Sequence, residues 1–295
     1  MIQQRPYEFM VYHTPQREWV EKRGILLWLA FFFIELGAGT YFISSIFESK
    51  AGMLIGLLIC GILGGGLHIL YLGHPSRFWR MVTSAGWKTS WISRGLYFVS
   101  FFLVLGAIHL ILVQWSSSAL GLMIVTDILA VLAIIYAGFA MNFVIGISLW
   151  NSPLLPVLYL VLGIWAGLGV TLMTILPSEA AVLGDLEVWS RVFLLAFIFI
   201  VFVYLLSIRY QGTAARVAVR QIVTGKWAIL FWIMVVSLAM VLPLVVTLNS
   251  WVSGLPIPAT LLYFVIIFEL MGDLALRYCV LRSGFYSPLV PTSAV

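Results

Sequence analysis

Four carboxylic acids stand inside long apolar stretches of the sequence, namely Glu35, Asp127, Glu269 and Asp273. An ionised side chain is costly in an apolar phase, so acids in such places either hydrogen-bond to neighbouring helices or take part in function. Burial favours the neutral carboxyl, and a protonated carboxyl can pass its proton to a neighbour. The residues leave two interpretations open: polar contacts between helices, and a proton route through an apolar protein.

Glu269, Asp273 and Arg277 follow one another at intervals of four residues, so they share one face of a helix. This spacing predicts an ion pair between Asp273 and Arg277. It also lets the long side chain of Arg277 extend towards a basic end of its helix. Glu269 lies deeper in the apolar run and has no obvious partner.

The chain has four histidines, His13, His68, His74 and His109. A haem held by two of them would need both at the same depth. His68 is near one end of the second apolar run and His109 is near the opposite end of the third, so their depths differ by roughly 20 Å at the helical rise per residue. We therefore predict that this chain holds no haem.

An unusually apolar chain must position these residues. Hydrophobic residues make up 63% of it, charged residues 9%, and the mean hydropathy is +1.11. Soluble domains carry roughly 25% charged residues, and disorder requires low hydrophobicity and high charge, so both classes are excluded. Cys60 and Cys279 lie far apart without a CxxC motif, and we interpret them as small buried residues.

Apolar runs long enough to cross a bilayer as a helix, about 20 residues, occur eight times. The predicted spans are 25–46, 53–72, 93–113, 120–146, 154–176, 189–208, 228–248 and 258–280. The fold class is therefore an all-α membrane protein with eight transmembrane helices in a single integral membrane domain, 1–295. Residues 1–24 are polar and charged, so we expect an interfacial segment there and no cleavable signal peptide.

Glycine spacing and a short internal similarity indicate how the helices pack. Residues 35–39 and 165–169 are loosely alike, which predicts two four-helix bundles, about 25–146 and about 154–280. Gly61 and Gly65, and likewise Gly163 and Gly167, have the small-xxx-small spacing that lets helix backbones approach closely. We expect tight helix contacts at both pairs.

The basic residues crowd one face of the membrane. With eight spans both termini share a side, and that side holds 14 of the 16 Lys and Arg residues, leaving Lys50 and Arg191 on the other. The positive-inside rule then places both termini in the cytoplasm, for a multi-pass protein of the cell (plasma) membrane. A basic face that docks an acidic partner is the alternative cause, and it would operate on either side.

The connection after the second span carries an ordered motif. Residues 72–79 read Leu-Gly-His-Pro-Ser-Arg-Phe-Trp, and Arg80 follows. Gly73 and Pro75 end the helix sharply. Anchoring in the headgroup layer would explain the Trp and Arg residues, but it would not explain the ordered Gly-x-Pro-x-Arg pattern.

The motifs together resemble those of the NrfD/PsrC family, the integral membrane subunits of polysulfide reductase and related quinone-linked complexes. The 72–79 string resembles the family's Leu-Gly-x-Pro-x-Arg-Phe signature after the second span. Three weaker similarities accompany it. The stretch from His13-Thr14-Pro15 to Glu35-Leu-Gly-Ala-Gly39 is similar to the family's opening, and Tyr136-Ala-Gly-Phe139 resembles a segment of its fourth helix. Trp150-Asn151-Ser152, together with Pro156, resembles its link to the fifth helix. The length and the eight spans also fit.

The resemblance implies a membrane anchor that binds quinone or quinol, either menaquinone or ubiquinone. It implies electron exchange with an iron–sulfur (ferredoxin-like) subunit and, through that subunit, with a molybdopterin or haem catalytic subunit. This protein would contain no haem and no iron–sulfur cluster. Its surroundings would be the lipid bilayer and its partners, with no nucleic acid. We expect partner docking on one basic loop, at Gly73, His74, Pro75, Arg77 and Arg80.

In polysulfide reductase an Asn, a His and a Tyr contact the quinone. The resemblance assigns the His to His13 and the Tyr to Tyr136, whereas the Asn position holds Met10, which offers no comparable donor. An imidazole can exchange a proton with one quinone oxygen near neutral pH, and a tyrosine hydroxyl can hydrogen-bond to the other. The alternative is that both are ordinary interfacial or core side chains.

Two other functional classes stay open. A secondary transporter also has midplane acids, glycine-interrupted helices and duplicated halves, and a purely structural anchor would hold partners without quinone. Co-purification with iron–sulfur subunits and a bound quinone would favour the first interpretation over both. The resemblance to polysulfide reductase favours an outward-facing partner, which conflicts with the cytoplasmic placement from the count of basic residues.

Overall fold

The computed structural model describes residues 8–17, 19, 21, 23–83, 85–115, 120–176 and 180–290. Within these residues, eight helices are long and apolar enough to span a membrane, which confirms the predicted all-α class. We call them spans 1 to 8, and their bounds are Gly24–Ile46, Lys50–Tyr71, Trp91–Gln114, Leu120–Asn142, Leu154–Ile175, Gly184–Arg209, Ala228–Ser253 and Ala259–Arg282. Spans 2 and 7 contain π-helical segments, Ile59–Gly65 and Phe231–Val241.

Several elements differ from the sequence prediction. Span 6 begins at Gly184 rather than 189, and span 7 ends at Ser253 rather than 248. Span 4 ends at Asn142 rather than 146, because the chain turns there and Ile147 forms a bridge to Tyr286 near the C-terminus. The prediction also missed an amphipathic surface helix, Thr213–Val223, between spans 6 and 7. It buries one face of small and branched residues and exposes Arg216 and Arg220 on the other.

Spans 1 and 5 form the centre of the bundle. The most apolar windows of these helices are 67% and 72% buried inside the protein, whereas no other span exceeds 44%. Spans 1 to 4 contact one another, spans 5 to 8 contact one another, and spans 1, 4, 5 and 8 join the two halves. The two helices that begin the predicted halves therefore lie back to back.

Glycine allows this central contact. A Cβ atom on Gly39 would overlap the carbonyl oxygen of Gly163, and a Cβ atom on Gly167 would lie 2.8 Å from the backbone nitrogen of Thr40. The predicted close approach is confirmed: Gly167 and the backbone of Gly163 lie against span 1, and the missing side chain of Gly163 makes room for Ile134 of span 4. Backbones this close gain van der Waals contact along their length, which is what associates helices in lipid.

The same expectation for Gly61 and Gly65 is wrong. In span 2 the close approach to span 1 is made at Gly64, where a Cβ atom would lie 2.8 Å from the backbone nitrogen of Ile34. A Cβ atom on Gly61 would meet only the side chain of Leu103, and one on Gly65 would meet only a carbonyl of its own helix. The π-helical segment changes which residues share a face, so spacing by α-helical turns misassigns the contact.

The two ends of the described chain are joined. Strand β1, Thr14–Pro15, pairs antiparallel with strand β2, Phe285–Tyr286. Gln16 extends the contact, because its side-chain amide donates to the carbonyl of Leu281 at 3.0 Å and its backbone NH donates to that of Gly284 at 2.9 Å. Both terminal segments therefore lie at one end of the bundle. Residues 1–7, 18, 20 and 22 of the predicted interfacial segment are outside the described residues.

Candidate functional site

A cavity of about 370 Å³ lies among spans 1 to 4, towards the end of the bundle that carries the terminal segments. Each of the four spans contributes to its walls. Span 1 contributes Leu27, Phe31 and Ile34, and span 2 contributes Gly61, Gly65 and His68. Span 3 contributes Gly95 and Val99, and span 4 contributes Tyr136. Trp19 from the N-terminal segment and Phe78 and Met81 from the connection after span 2 complete the lining. The walls are mainly apolar with a few polar groups, which is the usual character of a small-molecule site.

The rings of His68, Tyr136 and Phe31 form a cluster in this cavity. The ring centroids of His68 and Tyr136 are 6.4 Å apart, and Phe31 lies 5.5 Å from the first and 5.9 Å from the second. Span 3 makes room for the tyrosine by having glycine at position 95, where a Cβ atom would overlap the Tyr136 ring.

His68 has an unsatisfied polar atom at this site. Its Nδ1 is shielded from solvent and has no hydrogen-bond partner among the described residues. Shielded polar atoms in folded proteins are nearly always hydrogen-bonded to protein, ordered water or ligand. His68 therefore offers a free hydrogen-bonding position beside the Tyr136 ring.

Trp19 is held in place by contacts at the joined termini. Its backbone NH donates to the side-chain oxygen of Gln16 at 3.2 Å, and its ring packs 5.3 Å from that of Trp150. Trp150 is itself fixed, because its indole NH donates to the carbonyl of Val280 at 2.9 Å. The wall supplied by Trp19 thus depends on span 8.

The two residues assigned to the quinone by resemblance are not side by side. Tyr136 lines the cavity, whereas His13 lies outside the lining and its Nε2 is 3.1 Å from the hydroxyl of Thr213 on the surface helix. His68 takes the place beside Tyr136, and sequence reasoning considered it only as a haem ligand. The spacing Gly61, Gly65, His68 was an available signal, because it describes a helix face with little side chain next to a histidine.

Glu35, Asp273 and Arg277 form a buried ion triad between spans 1 and 8. The guanidinium of Arg277 pairs with the carboxylate of Glu35 and, at 2.6 and 3.2 Å, with both oxygens of Asp273. The predicted Asp273–Arg277 pair is confirmed. The expectation that Arg277 extends towards the basic end is wrong, because its side chain is fully enclosed by its two partners and the ring of Tyr159.

Glu35 links the triad to the cavity. It follows Phe31 by one helical turn, and it lies within electrostatic range of the Tyr136 hydroxyl. One of its carboxylate oxygens, Oε1, is buried without a hydrogen-bond partner among the described residues. Glu35 therefore has a carboxylate oxygen without a hydrogen-bond partner close to the candidate site.

Glu269 lies one turn from Asp273 and borders a second, much smaller cavity. This space of about 30 Å³ lies among spans 5, 6, 7 and 8, and Glu187 and Arg191 of span 6 also line it. Those two residues form an ion pair of 3.0 Å. The cavity is about the size of one water molecule. Glu269 shares it with the Glu187–Arg191 ion pair, a polar neighbour that the sequence did not reveal.

Asp127 belongs to a separate polar cluster. It accepts a hydrogen bond of 2.7 Å from the hydroxyl of Ser45 in span 1. Nearby, the hydroxyl of Tyr41 is 2.7 Å from Nδ1 of His109. The contacts of His68 and His109 with span 1, at Phe31 and Tyr41, are ten residues apart, so the two histidines differ in depth by about 15 Å.

The candidate docking loop is exposed. The five residues assigned to it, Gly73, His74, Pro75, Arg77 and Arg80, are all exposed. The loop also continues into the cavity lining through Phe78 and Met81. A partner on this loop would therefore lie directly outside the cavity.

Among the described residues, no cluster of three His, Cys, Asp or Glu side chains could hold a metal ion.

The sequence is similar to known proteins over most of its length. The family model described as "Polysulphide reductase, NrfD" matches residues 23–288. The C subunit of polysulfide reductase from Wolinella succinogenes is 30% identical over 174 residues, 57% of this protein and 55% of that one. An NrfD homologue of Haemophilus influenzae is 28% identical over 55% of this protein and 51% of its own length. Protein NrfD of Escherichia coli is 27% identical over 265 residues, 78% of this protein and 79% of that one. The sequence thus spans about half the length of the first two relatives.

Proposed function

The chain belongs to the NrfD family, and on this premise we propose that it is the membrane subunit of a respiratory oxidoreductase that binds quinone or quinol beside His68 and Tyr136. The observation that carries the proposal is the shielded Nδ1 of His68, which lacks a hydrogen-bond partner among the described residues. A quinone oxygen would satisfy this atom once the imidazole turns Nδ1 from its shielded position towards the cavity. The family supports the coarse role, a subunit of a multi-subunit oxidoreductase complex, and the cavity supports the ligand.

The cavity suits a quinone in size and polarity. Its volume of about 370 Å³ is within the range of small-molecule pockets. The apolar walls suit an aromatic ring system, while the polar groups are few and lie near one another. His68 and Tyr136 can each offer a hydrogen bond to a ring held against them in the cavity.

Residues of this protein can exchange protons with the quinone, while the electrons pass to or from a partner subunit. A quinone takes up or releases two electrons and two protons. The Tyr136 hydroxyl can donate a hydrogen bond to one oxygen, and the His68 imidazole can hold or release a proton at the other. Glu35 stands behind Tyr136 and can exchange a proton with that side of the cavity.

Quinone binding is tested on the full-length protein in lipid nanodiscs, with menaquinone titrated against tryptophan fluorescence. We expect Tyr136→Phe and His68→Leu each to raise the Kd about tenfold, since each removes a hydrogen bond to a buried ligand atom. His74→Leu is the matched control, because His74 is exposed six residues further on. Equal Kd values for all three variants and the unchanged protein would contradict the proposal.

His13 stays a predicted quinone contact, and the same titration tests it. The resemblance assigns it to the ligand, while its hydrogen-bond distance to Thr213 places it outside the cavity lining. A raised Kd in His13→Ala with an unchanged Kd in His68→Leu would move the site to His13 and overturn the role given to His68. The reverse result would support His68.

We further propose that the buried acids conduct protons between the quinone and the far side. Glu35 and Asp273 share Arg277, and Glu269 follows one turn away beside the small cavity at Arg191. Asp127, with Ser45, supplies a second branch. In proteoliposomes of the whole complex we expect quinone turnover to build a membrane potential that Glu269→Gln or Asp127→Asn abolishes, according to the branch in use. Turnover without any potential would exclude the route.

The partner proposed for the basic loop is an iron–sulfur subunit, which would pass electrons between the quinone and a molybdopterin or haem catalytic subunit. The support is geometric, because the exposed loop 73–80 lies directly outside the cavity. Charge reversal at Arg77 and Arg80 is expected to reduce co-purification of the partner while leaving menaquinone binding by this protein unchanged. We propose that this face lies in the cytoplasm of a plasma-membrane protein, because the count of basic residues favours that side. Protease accessibility of a C-terminal epitope tests the proposal.

A further inference from the structure

The small cavity among spans 5 to 8 lies towards the end of the bundle opposite the terminal segments. It is bordered by Glu187 and Ser190, near the start of span 6, and by Ile257, in the connection that precedes span 8. The side chains of Arg191 and Glu187 at its border are 30% and 27% exposed. The cavity is therefore close to the water on that side of the membrane.

Glu269 of span 8 extends into this cavity without a partner. It is 7% exposed, and its Oε2 would lie 4.0 Å from a Cβ atom on Gly169 of span 5. Among the described residues its carboxyl has no hydrogen bond and no ion pair, because Arg191 and Arg277 pair with other acids. A buried carboxylate without a counter-charge is strongly destabilising. Glu269 must therefore hold a proton or a cation.

Two hydroxyl groups border the same space. Ser190 of span 6 and Thr247 of span 7 line the cavity, and within the described part of the chain no hydrogen bond occupies either side chain. Together with Glu269 they bring side-chain oxygens from three helices to one cavity. Hard cations are bound by oxygen ligands, neutral oxygens as well as carboxylates. A cation site of this kind needs no cluster of three acids.

The charges and the size of the cavity favour a small monovalent cation. Glu187 and Arg191 form an ion pair of 3.0 Å and neutralise each other, so Glu269 contributes one net negative charge. A divalent ion would leave a positive charge uncompensated inside an apolar bundle, which is costly. The volume of about 30 Å³ is about that of one water molecule, so it suits a sodium ion and excludes organic cations.

We propose that the cavity at Glu269 is a sodium site, in which the carboxylate of Glu269 and the hydroxyls of Ser190 and Thr247 supply oxygen ligands. The site goes beyond the proposed quinone function, because it lies in the other half of the bundle and shares no lining residue with the main cavity. One carboxyl holds either a proton or a sodium ion. Sodium therefore competes with the proton that the proposed route carries through Glu269.

Equilibrium binding of radiolabelled sodium to the full-length protein in nanodiscs tests the site. We expect saturable binding that unlabelled NaCl displaces and that choline chloride, with its larger cation, does not. Glu269→Gln keeps the size of the side chain and removes its charge, so it is expected to raise the Kd of sodium about tenfold or more. Asp185→Asn is the matched control, because Asp185 is an exposed acid near the start of span 6 that does not line the cavity.

Ser190→Ala and Thr247→Val each remove one hydroxyl and are expected to raise the Kd of sodium severalfold. They provide the test should Glu269→Gln fail to fold. Absence of saturable binding to the unchanged protein, or a Kd that none of these variants changes, would overturn the site. Glu269 would then hold a proton. Menaquinone binding is expected to be equal in all the variants, so failure of the sodium site and failure of the quinone function are distinguished.

Discussion

The guanidinium of Arg277 lies between the carboxylates of Glu35 and Asp273, with the ring of Tyr159 4.8 Å from its carbon. Two acids and one base share a volume from which water is excluded. Such a cluster is stable only as a whole, because removal of one partner leaves a buried charge uncompensated. Spans 1 and 8 are thereby joined by charge at the centre of an apolar bundle.

We expect Arg277→Met to lower the midpoint of thermal unfolding by about 10 °C, since breaking a buried ion pair costs roughly 3–5 kcal/mol. Differential scanning fluorimetry of the detergent-purified protein measures this. Arg282→Met is the control on the same helix, where the guanidinium contacts Tyr278 and Trp227 at the surface. Combining Arg277→Met with Glu35→Gln and Asp273→Asn should recover most of the loss. Equal midpoints for Arg277→Met and Arg282→Met would show that the triad contributes little.

Residue-level prediction succeeded where the contact is local. Asp273 and Arg277 are one turn apart, so their pairing follows from helix geometry alone. The contact of Arg277 with Glu35 joins residues 242 positions apart and depends on how spans 1 and 8 pack. For the same reason Tyr136 was found through a motif, while His68 beside it was not. The rings packed against His68, those of Phe31 and Tyr136, belong to other helices.

Among the elements, the contact between spans 1 and 5 is set by Gly39 and Gly167, while Gly163 makes room for the side chain of Ile134 in span 4. There is no space for a side chain at any of them. The two helices are the most buried in the protein, so a displacement here would affect both halves. The packing of these glycines therefore determines the geometry of the whole bundle.

Gly39→Leu is expected to abolish most of the folded protein, because the added side chain would overlap the backbone of span 5 and overpacking of a tight contact costs about 1–3 kcal/mol or more. The monodisperse fraction in size-exclusion chromatography reports the outcome. Gly121→Leu serves as the control, since a Cβ atom on Gly121 meets nothing within 4 Å. A normal yield of Gly39→Leu would mean that spans 1 and 5 are not held this closely.

The spans were predictable because their signal is local: length and hydropathy. The surface helix Thr213–Val223 was missed because it has 11 residues and a charged face, so it has no span-like hydropathy. The end of span 4 was placed too late because residues 143–147 are also apolar, although the chain has already turned to meet Tyr286. Hydropathy alone does not distinguish an apolar turn covered by another segment from a continuing helix.

At the scale of the whole molecule, the N-terminal segment is attached to the end of the last helix. Gln16 is 2% exposed and makes three hydrogen bonds, to Leu281, to Gly284 and to Trp19. Trp19 in turn forms a wall of the cavity in the first half of the protein. The site among spans 1 to 4 is therefore completed by contacts with span 8.

Gln16→Ala is expected to weaken menaquinone binding severalfold and to lower the unfolding midpoint by a few degrees. The change removes two side-chain hydrogen bonds, of about 1 kcal/mol each, and frees Trp19. Both quantities come from the nanodisc titration and thermal scan already described. Gln211→Ala is the control at an exposed position between span 6 and the surface helix. A Kd unchanged by Gln16→Ala would mean that Trp19 keeps its position without Gln16.

This attachment has a consequence for biosynthesis. The ribosome makes Trp19 before any of the spans. Leu281 and Gly284, whose carbonyls bind the neighbouring Gln16, are among the last residues to be made. When the translocon has released four helices, most of the cavity exists, yet the Trp19 wall is still untethered. We expect nascent chains stalled before the eighth helix to bind quinol weakly. If the proposed quinone site is completed only at the end of translation, unfinished chains would not compete for quinol.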